Sequence, residues 1–178
     1  MRPIEALRDW WHGGEALQPP TSGALLGFSI GLLVFGGLLA SVDFVPVLDH
    51  VNLAFHESGH ALFGLLGSTA GLYGGTVMQF VFPSVTTLRF LQRGQTLSAA
   101  ACGVWFCENL RYMALYMADA RAQQLPLVGG GEHDWYHILS RWDALESDTR
   151  LAGVFVFLCW AGIGAIWLAL WRFWRRHG

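Results

Sequence analysis

Three residues in the stretch NLAFHESGHALFG are of types that hold a metal ion and move a proton: His56, Glu57 and His60. On an α-helix, positions four apart share a face, so both imidazoles can reach one ion while Glu57 stands about 100° around the helix beside them. The pattern is HExxH. Neutral imidazole is a good zinc ligand, a third protein ligand leaves the fourth position of a tetrahedral site for water, and zinc lowers the pKa of that water to about 7. A neighbouring carboxylate then takes the proton and returns it to the leaving group. The chemistry expected is zinc-dependent hydrolysis with Glu57 as general base.

Four residues compete to be the third ligand. His133 is the first choice, because the glycines of GGGEHDWYHILSRW let the loop return sharply toward the site. Asp134 could ligate, or cap a helix over 135–142. Asp119 ends a helix on the side that carries Tyr112 and Tyr116, and Glu108 lies in mid-helix with Arg111 as an alternative partner. Asn109, Tyr112 or His137 could steady a developing oxyanion, and Asn52, Glu108 and Asn109 could line a path for water. His133 and His137 form an HxxxH pair, yet with His12 and His177 at the extremities the remaining histidines are too few for a di-iron oxygenase built on histidine clusters. Ser58 is expected to pack the helix. Cys102, Cys107 and Cys159 sit in apolar surroundings where thiols are usually inert.

The elements that position these groups follow from where charge is missing. Only 13% of the 178 residues are charged, against about a quarter in soluble domains. The net charge is −2 and every one of the 11 bases is arginine, which suggests neither a nucleic-acid binder nor a polybasic lipid-surface protein. No charge occurs between Glu15 and Asp43 or between Arg150 and Arg172, so 23–42 and 151–172 have the roughly 20 apolar residues that span a bilayer. The second run ends in a basic tail, 173–178, where Trp171 and Trp174 suit the headgroup level. Segment 46–67, with Pro46 in its first turn and Asp43 as a possible cap, reads as the helix that carries HExxH. Asp49, Asn52, His56 and His60 form one polar stripe on it, and ionisable groups at membrane depth are functional candidates by default.

The remaining elements complete an all-α integral membrane protein of about four transmembrane helices in one domain. Segment 68–94, rich in glycine and containing Pro83, reads either as a re-entrant or hairpin piece covered by protein or by a water-filled cavity, or as a short span. A third helix covers 95–120, and 121–150 is an interfacial loop with a short helix. Segment 1–22 should lie in the interface, anchored by Trp10 and Trp11. Arginine bias places both termini in the cytoplasm, with Arg121, Arg141 and Arg150 outside. The absence of lysine beside abundant Arg, Gly, Ala and Trp fits a G+C-rich bacterial coding sequence, hence an inner membrane.

The HExxH helix, with His56, Glu57 and His60 inside an apolar span, resembles that of the integral-membrane zinc metallopeptidases of the site-2-protease type. The glycine-rich segment after it is similar to the hairpin with which those enzymes hold substrate as an added strand. Asn109 followed by Asp119 resembles their asparagine and ligating aspartate, although the ending here is MADA without the prolines. The segment GEHDW is similar to one in small bacterial membrane proteins that pair it with an HExxH helix and ADA, an outlying subgroup. The resemblance implies a Zn²⁺ cofactor, membrane lipids as surroundings, and a membrane-protein or peptide substrate. Two other classes stay open: a zinc-dependent hydrolase of a lipid amide or ester, and a non-catalytic metal-binding membrane scaffold.

Overall fold

The computed structural model describes residues 13–127 and 132–178. The interfacial anchoring expected of Trp10 and Trp11 and the loop glycines at 129–131 lie outside them. The described residues are helical throughout their regular structure, and the one extended pairing among them is an isolated bridge between Gln18 and Gln95.

Helix α1 (Ser22–Ser41) begins where the Thr21 hydroxyl accepts from the Ala24 amide at 3.2 Å, satisfying one of the donors a helix start leaves free. Its outer face is bare: Leu33 is 78% exposed. The last helix runs from Asp148 to His177, with Asp148 in the first turn and Arg175, Arg176 and His177 in the last, each charge opposing the helix dipole at its end. Both helices are long and apolar enough to cross a membrane, with mean hydropathies of 2.1 and 2.2. Both carry most of that apolar surface outward, unlike the interior helices of a water-soluble domain. They meet where the Trp167 indole donates to the Ser29 hydroxyl at 2.9 Å.

Between them, α2 (Leu48–Gly64) and α3 (Ser68–Gln92) form a tight antiparallel pair. The chain turns at Gly67, whose φ of +115° suits glycine. Of the two readings of 68–94, the hairpin is corrected here, since α3 is continuous through Gly71, Gly74, Gly75 and Pro83. Its glycines record close packing instead of irregular backbone: a Cβ on Gly74 would lie 2.6 Å from the Gly59 carbonyl oxygen and from Phe63 Cβ. Past Pro83, side-chain hydroxyls cover helix carbonyls, Thr87 donating to Pro83 O at 2.7 Å and Ser84 to Phe80 O at 2.7 Å. Pro46 lies ahead of α2 and not in its first turn. Asp49, not Asp43, closes that start by accepting from the Val45 amide at 2.6 Å.

Helix α4 (Thr96–Ala118) is the spine against which the others take direction. The segment before α1 is fastened to the α3–α4 turn, Glu15 N donating to Gln92 O at 2.7 Å and Gln18 N to Gly94 O at 2.9 Å. The far end of α1 lies beside mid-α4, where Arg111 donates to the carbonyls of Val42 and Asp43. Asn52 of α2 then meets Trp105 and Glu108, and His56 meets the Tyr116 ring. So α1 and α2 run successively in the direction of α4, and α3 runs back. Within the segment expected over 46–67, α2 runs in the same direction as α1. At the C-terminal end of α4, Met113, Ala114 and Met117 pack with Trp135, Ile138 and Leu139 of α5 (Asp134–Arg141) and with Ala152 of the last helix, α6 (Asp148–His177). The Arg121 guanidinium clamps Asp148 with bonds of 2.9 and 2.8 Å.

Candidate metal centre

His56 and His60 project from one face of α2, and Asp134 from the first turn of α5. Asp134 Oδ2 lies 2.8 Å from His56 Nε2 and 3.0 Å from His60 Nε2, and the two nitrogens are 3.0 Å apart. This trio is the group of donors that could hold a metal ion among the described residues. The Nδ1–H of His60 donates to the Gly71 carbonyl at 2.9 Å, which leaves a lone pair on Nε2. That lone pair faces a carboxylate oxygen, an arrangement that a bound cation or an added proton must relieve. Donors of a tetrahedral zinc ion with bonds of about 2.0–2.1 Å stand about 3.3 Å apart, a few tenths of an ångström wider than here, and nitrogen with carboxylate oxygen is a set that zinc accepts.

The backbone of α3 makes room for the rings. A Cβ on Gly75 would stand 2.5 Å from His60 Nε2 and 2.8 Å from His56 Nε2, so the two rings can converge because position 75 carries no side chain. A cavity of about 720 Å³ opens in front of the trio, with Glu57, Tyr112 and His137 on its wall among apolar groups such as Leu53, Leu72 and Leu127. Glu57 is exposed toward it. His137 Nε2 pairs with Glu132 at 2.8 Å.

The other expected site residues fall elsewhere. His133, the first choice as third ligand, does not join the trio. It is the N-cap of α5, its Nδ1 accepting from the Tyr136 amide at 3.3 Å, and its ring stacks on Tyr116 with Nε2 3.5 Å from Asp119. Burial pushes the His133 imidazole below its usual pKa, with Asp119 opposing the shift. The helix start decides between the neighbours: the cap faces back over α5, while the next residue points out to the histidines. Asp134 is therefore in the first turn and is not the cap, and its amide donates to the Tyr116 hydroxyl at 3.1 Å. Asp119 accepts from the amides of Gln124 and Leu125 at 2.9 and 3.0 Å and shapes the turn that follows α4.

Glu108 and Asn109 are fully buried away from the cavity wall, which corrects the expectation that they, with Asn52, line a water path. Asn52 donates to Glu108 at 2.8 Å and to Asp49 at 3.3 Å while accepting from the Trp105 indole at 2.7 Å, a sealed network behind the site. Arg111 gives its bonds to backbone carbonyls rather than to Glu108. Gln79 was not among the expected residues, yet it lines the cavity at 2% exposure. The signal available was an amide standing four residues after Gly75 in a run free of charge.

No protein-family model, curated protein or solved structure matches the chain. The donor trio, the cavity and Glu57 are therefore the grounds on which chemistry can be assigned.

Proposed function

We propose that the protein is a membrane-embedded zinc hydrolase that cuts a peptide bond of a membrane-associated substrate. His56, His60 and Asp134 hold the ion, and Glu57 is the general base. The observation that carries this is the convergence of three metal-accepting donors with a free carboxylate one residue from the first of them, all on one cavity. Zinc, when bound, lowers the pKa of water toward about 7 and polarises the scissile carbonyl. Glu57 takes the proton as the water oxygen bonds to the carbonyl carbon, and hands it to the nitrogen as the C–N bond breaks. Tyr112 and His137 contact substrate from the wall, and the apolar residues around them exclude bulk water.

The proposal has the chain pass the membrane four times, by α1 with α2, then α3, α4 and α6, with both termini on the cytoplasmic side; the alternating helix directions and the arginine bias support it. Tyr116 lies about 30 Å along α4 from its start, so in this arrangement the metal centre would lie near the outer face of the bilayer. A bacterial inner membrane fits this orientation.

The test uses full-length protein in detergent micelles, with metal content measured beside cleavage of a fluorogenic transmembrane peptide. Wild type should carry about one zinc per chain, and Glu57→Gln should keep it while losing about 10²–10⁴-fold in rate. Unchanged cleavage by that variant refutes the mechanism. A second reading, hydrolysis of a lipid amide, is favoured by one observation: among the described residues no strand edge stands ready to receive an extended peptide. Preference for a micellar acyl amide over the transmembrane peptide would select it.

A further inference from the structure

Gln79 is a buried polar side chain on the cavity that nothing above employs. It sits on α3 one turn beyond Gly75, on the face that touches both histidine rings. The residue is 2% exposed, and its Oε1 is fully covered without a hydrogen-bond partner. Pro83 stands four residues further on and has no N–H, so the Gln79 backbone carbonyl also lacks its helical donor. A buried amide in this condition lowers stability, because an unsatisfied acceptor keeps its desolvation cost of about 1–3 kcal/mol. Leucine or methionine would pack the same volume without it. Gln79 nonetheless reaches a cavity wall beside the metal donors, and with its oxygen sealed off the end that can serve the cavity is the N–H₂ group.

We infer that Gln79 donates its amide N–H to the oxyanion that forms when water adds to the scissile carbonyl. The inference rests on the hydrolase reading above and names a catalytic residue of that same site. As the carbonyl carbon becomes tetrahedral, the C=O electron pair moves onto oxygen, and a preset amide donor in a dry pocket stabilises that charge without reorganising. The proton balance is unchanged, because Gln79 gives a hydrogen bond and keeps its proton. The donor is held by its place in the α2–α3 pair, where Phe55 stacks on Phe82 with ring centroids 4.6 Å apart.

The test compares wild type with Gln79→Met and Gln79→Glu in three measurements on zinc-loaded, full-length protein in micelles. The first is thermal stability: Gln79→Met should leave Tm unchanged or raised, because it removes the orphaned oxygen, whereas a residue kept for packing would lower it. The second is turnover of the transmembrane peptide, where kcat should fall about 10²–10³-fold, the usual effect of losing one oxyanion donor, with KM within a few-fold. The third is titration with a phosphinic dipeptide bearing leucine side chains, which mimics the tetrahedral oxyanion and requires no turnover. Both variants should bind it at least about 10-fold more weakly at full zinc occupancy. Equal phosphinate affinity in wild type and variants overturns the inference, as does a kcat that stays within a few-fold of wild type. If Glu57→Gln leaves peptide cleavage intact, the hydrolase reading fails, while the phosphinate titration still decides whether Gln79 serves a tetrahedral oxyanion.

Discussion

Replacing Gly75 with alanine would set a methyl carbon 2.5 Å from His60 Nε2 and 2.8 Å from His56 Nε2. Ordinary contact begins near 3.5 Å, so the rings must give by about 1 Å. Neither has a free direction: His60 is held by the Gly71 carbonyl, and both nitrogens meet Asp134. Changes of this size around a metal ligand cost about 10–100-fold in affinity. Metal-free fold stability should fall by no more than about 2 kcal/mol, since alanine gains about 1 kcal/mol over glycine inside a helix while overpacking costs about 1–3 kcal/mol. Competition with a fluorescent zinc chelator on the full-length protein measures the affinity, and thermal unfolding of metal-free protein measures the rest. Gly37→Ala is the control, because a Cβ there meets nothing within 4 Å. Wild-type zinc affinity in Gly75→Ala would refute the reasoning, for it would mean that the rings bind the ion somewhere other than against α3.

Asp134→Asn should weaken zinc by a larger factor than His133→Asn in chelator competition, because the first removes a ligand charge while asparagine at 133 can still cap α5. His133→Ala should cost about 1 kcal/mol in unfolding measurements through the lost cap, with zinc affinity down about 10-fold. Glu108→Gln should be close to neutral in Tm, since an amide oxygen can still accept from Asn52. Asn52→Leu should destabilise by about 1–3 kcal/mol by stripping Glu108, Asp49 and Trp105 of their shared partner. Arg121→Ala should lower Tm, because Asp148 is 1% exposed and loses its guanidinium, and should leave zinc stoichiometry unchanged.

The outermost helices were legible because hydrophobic transfer needs only a long enough run without charge, and α1 and α6 each have one. The middle was harder. Glycine in sequence is read as a breaker, but at Gly59, Gly74 and Gly75 it answers to a neighbour that no local pattern reveals, and helix hydrogen bonding carries the chain through. The choice between His133 and Asp134 turned on a single residue of register at the start of α5. Adjacent side chains there point about 100° apart, so composition cannot select between them. Gln79 escaped notice for the opposite reason: one neutral amide leaves hydropathy nearly unaltered, and only the cavity shows that it is out of place.

The donor trio is divided between α2 and a helix that begins 74 residues beyond His60. An N-terminal fragment that has left the ribosome with α1 to α4 complete still lacks Asp134, and with it a closed coordination set. The set of three donors therefore closes only when α5 has been made and packed against Met113 and Met117. On the hydrolase reading proposed above, a half-synthesised chain inserting among other membrane proteins could not yet cut them, and the order of the elements along the gene would serve as a safety catch.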